Sequence, residues 1–103
     1  MLPGAAKLVA FLPTTDGARA RAFYEGILGL RVLSDDDFAL TVDANGATVR
    51  ITKVGAFTPQ PFTVLGLEVP DIHAVAVELT AKGVTFERFA GMDQDASGIW
   101  TAP

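Results

Sequence analysis

Residues 11–29 of the chain read FLPTTDGARARAFYEGILG, and this stretch decides the fold. It starts as the end of an apolar strand and passes through Asp16, a residue type that caps helices by accepting hydrogen bonds from the first turn. A helix follows and ends at a glycine, the residue best suited to a left-handed stop. Residues 67–83, LEVPDIHAVAVELTAKG, repeat this pattern with Asp71 as the cap, 55 residues after Asp16. The sequence therefore predicts one small unit that occurs twice.

The bulk composition indicates one globular domain without a nucleic-acid partner. The chain has 103 residues, of which 50% are hydrophobic, and a mean hydropathy of +0.35. Its net charge is −4 and its pI is near 4.7. Nucleic-acid binding needs a clustered basic surface, which this composition disfavours.

The chain shows no sign of export or membrane insertion. Its apolar runs are far shorter than the roughly 20 residues that span a bilayer. The first residues, MLPGAAKLVAFLP, lack the basic segment and long apolar segment of a signal peptide. There is no cysteine, which excludes disulfides and thiolate metal ligands. We therefore expect a cytoplasmic protein.

Hydrophobic periodicity predicts the element order strand, helix, three strands, linker, strand, helix, strand. The first strand should be buried on both faces. In the 47–53 segment, Val49 and Ile51 should face one side, and Arg50 with its threonine neighbours the other. Gly26 inside the first helix indicates close packing or an early end. The predicted strands are 7–14, 30–34, 38–43, 47–53, 62–69 and 84–89; the helices are 16–29 and 71–83; a hairpin turn is 43–46, and a loop is 90–98.

A spaced motif within the first copy identifies a family. Its members are Asp16, Ala20, Phe23, Tyr24, Leu28 and Gly29. This motif and the element order resemble the vicinal oxygen chelate superfamily, which includes glyoxalase I, extradiol dioxygenases and bleomycin- and fosfomycin-resistance proteins. The resemblance covers nearly the whole chain. It implies an α+β fold of paired βαβββ modules around a cup: module one at about 5–54, a linker at about 55–61, and module two at about 62–103.

The metal ligands of the family are not matched in this sequence. The resemblance places a histidine or glutamine seven residues before each cap, where this chain has Val9 and Val64. It places a glutamate in the last strand of module one, which falls best on Arg50. Valine has no donor atom and arginine is a permanent cation. We therefore expect no metal, no other cofactor and no catalytic residue carried over from the family.

The second module is incomplete at its C-terminus. Family members usually continue with a strand, a turn of the D-P-D-G-N type and a final strand, whereas this sequence ends at Pro103. A naturally short protein, a fragment, and a protein completed by another chain are all compatible with this. An unpaired strand edge is a template for another chain.

The predicted ligand site combines an apolar basin with one cation. Arg50 serves either as an anion-binding residue or as the partner of Glu68 in a salt bridge. Trp100 either stacks on a ligand or packs near the terminus, and the inward apolar residues either line a pocket or fill it. The candidate ligand-binding residues are Val9, Phe11, Thr48, Arg50, Thr52, Val64, Gly66 and Trp100.

Three other features are interpreted as structural. Tyr24 should pack beside Phe23 rather than act as a catalytic hydroxyl. His73 should be a solvated helix residue. The acidic run 35–37 should be a solvated turn, because it lacks the spacing of a calcium loop.

Three functions remain in order of preference. The first is a metal-free, glyoxalase- or bleomycin-resistance-like binding protein that holds an apolar or acidic organic ligand and forms a homodimer. The second is a shortened non-catalytic paralogue that acts through dimerisation. The third is a metal-dependent lyase, isomerase or dioxygenase of the same superfamily. Enzyme activity, as a glyoxalase- or dioxygenase-type lyase or oxidoreductase, stays open, and the unmatched metal ligands favour a protein without it.

Overall fold

The computed structural model describes all of residues 1–103, which form two compact units, Met1–Gly66 and Leu67–Pro103. The first unit holds a four-stranded mixed sheet and one helical segment, and the second holds one helix. The predicted α+β class is confirmed. The module boundaries near residues 54 and 62 stay a prediction.

The sheet of the first unit has the strand order β1-β4-β3-β2. β1 is parallel to β4, and the two other pairs are antiparallel. Asn45 (φ 52°) and Gly46 (φ 95°) form the predicted hairpin turn between β3 and β4, where two left-handed residues are needed. The strands are β1 (Val9–Thr14), β2 (Arg31–Asp35), β3 (Ala39–Ala44) and β4 (Ala47–Lys53).

The first helix begins as predicted and then changes type. The Asp16 Oδ1 accepts a hydrogen bond from the Arg19 N–H at 3.0 Å and so caps α1, Gly17–Arg21. The next six residues, Ala22–Ile27, form a π-helix. The prediction of one regular helix over 16–29 is therefore wrong in its second half. Periodicity does not reveal a change from a 13-atom to a 16-atom hydrogen-bonded ring.

Neither of the two reasons predicted for Gly26, close packing or an early end of the helix, is supported by the structure. A Cβ added at Gly26 would meet nothing within 4 Å, so close packing is not the reason for a glycine there. The helix does not end early either: it continues through Gly26 to Ile27, and the Leu28 N–H donates to the Phe23 carbonyl, five residues back, at 2.9 Å. Gly29 follows with φ 74° and supplies the predicted left-handed stop.

Tyr24 packs beside Phe23 as predicted, and the two residues divide between the core and the helix flank. Tyr24 packs against the buried core of the sheet, whereas Phe23 is 36% exposed. The two rings meet edge to face, with their centroids 5.2 Å apart. Burial raises the pKa of the Tyr24 hydroxyl, so the phenol stays neutral at physiological pH.

The core of the first unit lies on the helix side of the sheet. Leu40, Val42 and Ile51 are at most 1% exposed, and Leu12 of β1 packs with them. The prediction that β1 is buried on both faces is wrong, because Phe11 is 67% exposed. A short apolar run does not reveal whether the second face of its sheet is covered.

A charged cluster ties the helix to the β2–β3 turn. Asp35 accepts hydrogen bonds from Lys53 Nζ at 2.6 Å and from Arg21 Nη1 at 3.2 Å. Lys53 also donates to the Asp36 carbonyl at 2.6 Å, and Arg21 pairs with Glu25. The hydrogen bond from Lys53, and next that from Arg21, hold the pKa of the Asp35 carboxyl below its ordinary 3.8.

We predict that Asp35 makes the stability of the first unit depend on pH. Its folded-state pKa is lowered, so its contribution is complete well above pH 3.8 and is lost as the pH falls through the lower folded value. When the urea midpoint of unfolding is plotted against pH, Asp35→Asn should therefore show a shallower fall on the acid side (the acid limb) than the wild type. Asp37→Asn is the matched control, because the Asp37 carboxylate makes no hydrogen bond. Acid limbs of equal slope in Asp35→Asn and the wild type would contradict this.

The second unit contains the second predicted helix, α2 (Ile72–Ala81). The Asp71 Oδ1 accepts a hydrogen bond from the Ala74 N–H at 3.1 Å, and Gly83 has φ 91°, so the predicted cap and stop are confirmed. No helix in the chain has the length and apolar character needed to cross a membrane.

The strands predicted at 62–69 and 84–89 are not formed. In the first unit, β1 pairs only with β4, and β2 only with β3. In a second copy of this arrangement, the first strand would pair with a fourth strand, and the second strand with a third. Residues 90–103 form neither of these two partner strands. Without a partner, neither segment can form a hydrogen-bonded ladder.

The predicted loop at 90–98 is more ordered than expected. Gln94 and Trp100 form an isolated antiparallel bridge. The Asp95 Oδ1 closes the turn between them by accepting hydrogen bonds from the Ser97 and Ile99 N–H groups, at 2.9 and 3.0 Å.

Candidate ligand-binding face

The face of the sheet opposite the core carries the polar candidates. Side chains alternate along a strand, so the residues next to the buried Val49 and Ile51 point to this second face. In the first unit no helix packs on it. We call it the open face; its residues are Val9, Phe11 and Pro13 of β1, Thr48, Arg50 and Thr52 of β4, and Ala39, Thr41 and Asp43 of β3, of which Ala39 is fully buried.

The strand register arranges the open face in rows. The central row joins Phe11, Arg50 and Thr41, which are direct partners across the three strands. Directly opposed side chains in a ladder have Cβ atoms about 4.5–5.5 Å apart. The row therefore places an aromatic, a basic and a hydroxyl-bearing residue next to one another on adjacent strands.

Two further rows flank the central one. Val9, Thr48 and Asp43 form the first, and Pro13, Thr52 and Ala39 form the second. The structure thus brings together five of the sequence-predicted residues, namely Val9, Phe11, Thr48, Arg50 and Thr52. Their role in ligand binding stays a prediction.

Arg50 is partly buried and has no partner within the first unit. It forms no hydrogen bond or ion pair with any residue of that unit. Hydrogen bonds from the Ala39 and Phe38 N–H groups lower the pKa of the Asp36 carboxyl, and the charge of Arg50 adds a smaller part. Asp36 itself is held by those two N–H groups, so it does not neutralise Arg50 by direct contact.

Arg31 and Asp43 at the rim of the open face largely satisfy each other. The Asp43 carboxylate lies 3.8 Å from Arg31 Nη2 and accepts a hydrogen bond from the Gly46 N–H. Arg50 is therefore the one guanidinium of the open face without an acidic partner in the first unit.

The donor set does not fit the metal that the fold family implies. Val9 stands at the histidine position of the first strand and Arg50 at the glutamate position, and neither can coordinate a cation. No group of three or more His, Cys, Asp or Glu residues lies close enough to hold a metal ion. His73 is exposed on α2, and Asp35 is engaged by Lys53 and Arg21.

The other sequence candidates lie outside the sheet. Val64 is 65% exposed and Gly66 is also exposed, while Leu65 between them packs against the core of the first unit. Val64 and Gly66 therefore do not take part in that core. Glu68 belongs to the second unit, so its predicted salt bridge with Arg50 stays a prediction.

Trp100 lies in the second unit beside the apolar side of α2. It lines a cavity of about 260 Å³ together with Ile72, Val75, Leu79 and Phe86. Trp100 is 45% exposed, so part of its ring is free. Its role as a ligand contact stays a prediction.

Sequence reasoning missed Thr41 and Asp43. Both stand on β3 at positions that alternate with the buried Leu40 and Val42. The same alternation was visible in the sequence. Only the register, however, tells that Thr41 is opposite Arg50.

The fold and the sequence place the chain in a known family. The profile of the Glyoxalase/Bleomycin resistance protein/Dioxygenase superfamily matches residues 7–92. The chain therefore belongs to this superfamily, and the resemblance found in the sequence is confirmed. No functionally curated protein matches the sequence.

Solved structures share the fold at low sequence identity. A superfamily member from Sphaerobacter thermophilus is 24% identical, with a TM-score of 0.65, 91% of this chain covered and 82% of that one. The bleomycin resistance determinant encoded on transposon Tn5 is 17% identical, with a TM-score of 0.65 and coverages of 84% and 71%. Lactoylglutathione lyase from Agrobacterium tumefaciens is 14% identical, with a TM-score of 0.62 and coverages of 94% and 90%. At these identities the likeness concerns the fold alone.

Proposed function

We propose that the chain is a metal-free small-molecule-binding protein of this superfamily that holds an apolar or acidic organic ligand on the open face. The observation that carries this proposal is the central row, where Arg50 stands without a partner in its unit between Phe11 and Thr41. A partly buried arginine without a counter-charge is costly unless a ligand or another group pairs with it.

The residue chemistry favours binding over metal-dependent catalysis. Val9 and Arg50 occupy the two ligand positions of the first module and cannot donate electron pairs to a divalent ion. The Tn5 relative is named a bleomycin resistance determinant, and by analogy we assign this chain a role in binding rather than in turnover.

We further propose that the protein acts as a homodimer. Residues 62–69 and 84–89 carry strand-like sequences but pair with no strand, and exposed strand-like segments recruit other chains. Phe62 and Val64 are 64% and 65% exposed, and a second copy can cover such residues. Light scattering measures the mass directly, and a monomer at every working concentration would overturn this part of the proposal.

The binding proposal is tested by thermal shift with a panel of apolar, neutral aromatic and acidic organic compounds. We expect at least one class to raise the Tm, and the shift to persist after chelation, with no stoichiometric metal in elemental analysis. Phe11→Ala should reduce the shift. Phe38→Ala is the matched control, because Phe38 is 73% exposed but precedes β3 and lies off the open face.

Two results would overturn the proposal. One is the absence of any shift across the panel. The other is a ligand response that disappears with chelator and returns with a divalent metal, which would favour a metal-dependent enzyme.

A further inference from the structure

We propose that the ligand of the open face is a planar aromatic monocarboxylate, with its carboxylate held by Arg50 and Thr41 and its ring against Phe11 and Val9. This inference rests on the proposed binding function. It goes further by naming the class of ligand and by adding Thr41 to the residues that hold it.

The open face has an apolar strip directly beside a polar strip. Val9, Phe11 and Pro13 run along β1, and Phe11 and Val9 are 67% and 46% exposed. Thr48 and Arg50 form the polar strip on the adjacent strand β4. Neighbouring strands lie about 4.8 Å apart, a distance that an aromatic ring and an attached carboxylate can bridge. A purely apolar ligand would leave the guanidinium unpaired, and a purely polar one would leave Phe11 uncovered.

The charges around Arg50 favour a single negative charge. Arg50 is the one cation of the open face without an acidic partner in its unit, since Arg31 lies 3.8 Å from Asp43. Lys53, on the opposite face, is engaged by Asp35 at 2.6 Å. A phosphate dianion would bring two charges to one guanidinium beside the Asp43 carboxylate. A carboxylate matches one guanidinium in charge and in its planar, two-pronged geometry.

The threonine hydroxyls supply the remaining hydrogen bonds. Thr41 is directly opposite Arg50, and Thr48 and Thr52 stand two residues to either side along β4. None of these three hydroxyls forms a side-chain hydrogen bond within the protein. A hydroxyl can rotate to donate to a carboxylate oxygen. The nearest of them to Arg50 by register is Thr41, which makes it the second anion contact.

Ionisation of the ligand should control the pH dependence of binding. Arginine stays protonated throughout the accessible range. Affinity should therefore fall only where the carboxylic acid itself becomes protonated, and the midpoint should follow the pKa of the acid from one ligand to the next. The groups near Arg50 that could disturb this profile are Asp36 and Asp43, and Asp36→Asn should leave the midpoint unchanged.

The test is isothermal calorimetry on the full chain with a matched set of probes: 2-naphthoate, its neutral amide 2-naphthamide, 2-naphthyl phosphate and cyclohexanecarboxylate. We expect 2-naphthoate to bind most tightly. Arg50→Gln should weaken it roughly tenfold or more, the usual size of a charge-assisted hydrogen bond, and leave the amide unchanged. Arg50→Lys should recover part of the loss, and Thr41→Val should cost roughly threefold to tenfold.

The control is Arg19→Gln, because Arg19 is exposed on α1 and its guanidinium also has no partner. It should bind 2-naphthoate like the wild type, and matching thermal melts of all variants establish that they fold. Equal binding of the amide and the acid, both insensitive to Arg50→Gln, would overturn the carboxylate inference and leave the binding function standing. Tighter binding of the phosphate would also overturn it. No binding by any probe, charged or neutral, would count against both.

Discussion

Leu40→Ala is expected to lower the free energy of unfolding by about 3 kcal/mol, in the range found for leucines removed from well-packed cores. Leu40 is fully buried in β3, one of the two central strands of the sheet. It packs with Val42 and Ile51, and these are the three largest fully buried side chains of the chain. Removing three carbons there leaves a cavity that the sheet cannot close, because both neighbouring strands are held in register by hydrogen bonds.

This loss of unfolding free energy is large relative to the total stability because the hydrophobic core contains few residues. The buried hydrophobic residues are eight in the whole chain, and three of them are alanines. Natural domains have a total stability of roughly 5–15 kcal/mol, so the loss at Leu40 takes a large share of it. Leu40→Ala should accordingly unfold at a clearly lower urea concentration with little change in slope.

Phe38→Ala is the control for Leu40→Ala. Phe38 lies two residues earlier and is larger and equally apolar, but it is 73% exposed. Surface substitutions of this kind usually change stability by less than about 0.5 kcal/mol. If the two variants lost similar amounts of unfolding free energy, residue 40 would not be buried between the sheet and the helix. The assignment of the opposite side of the sheet as the open face would then also be wrong.

Local signals in the sequence were enough to find both helices and the face of the sheet that carries Arg50. Aspartate at 16 and at 71 caps a helix in both places, and glycine at 29 and at 83 adopts the left-handed conformation. Alternation along residues 47–53 placed Arg50 on the face opposite Ile51, and the strand burial agrees. These features depend on one residue and its immediate neighbours, so a single sequence can reveal them.

What the sequence could not reveal depends on distant partners. β1 was expected to be buried on both faces, yet only its core side is covered, because coverage depends on elements remote in the chain. The segments 62–69 and 84–89 have strand composition but no strand. Their residues favour an extended backbone, but a ladder also needs a second chain segment with free N–H and C=O groups.

The same limit applies to the candidate site. Arg50 could be assigned to a face from its own strand alone, whereas Thr41 became part of the site only through its pairing with that strand. Val64, Gly66 and Trp100 were grouped with Arg50 by resemblance, and no local pattern supports or opposes that grouping. Hydrophobic periodicity predicts neither the register between paired strands nor the contacts between segments that are distant in the chain.

Gln94→Leu is expected to destabilise the C-terminal part of the second unit by about 2 kcal/mol, the loss of three modest hydrogen bonds. The Gln94 Nε2 donates to the Glu87 carbonyl at 2.9 Å and to the Gly98 carbonyl at 2.8 Å. Its Oε1 accepts from the Phe89 N–H at 2.9 Å. One side-chain amide thus joins the backbone of residues 87–89 to that of Gly98.

Amide hydrogen exchange resolves this prediction residue by residue. In Gln94→Leu the Phe89 N–H should exchange faster, because it loses its acceptor, and the Ile99 N–H should follow if the bridge between Gln94 and Trp100 opens. Gln60→Leu is the control, because the Gln60 amide makes one exposed hydrogen bond, to the Thr58 carbonyl at 3.2 Å. It should leave both rates unchanged.

Gln94→Glu separates the acceptor of this amide from its donors. The carboxylate keeps an oxygen for the Phe89 N–H but faces the Glu87 and Gly98 carbonyls with a second oxygen in place of the NH₂ group. Two acceptors brought together without a proton repel, so Gln94→Glu should be at least as unstable as Gln94→Leu near neutral pH. It should recover at low pH, where the protonated acid can donate one hydrogen bond. If Gln94→Glu matched the wild type at neutral pH, the amide would not be the group that holds residues 87–98 together. The order of this segment would then have to come from the Asp95 turn and from Arg88, whose guanidinium donates to the Gln94 and Ala96 carbonyls at 3.3 and 3.1 Å.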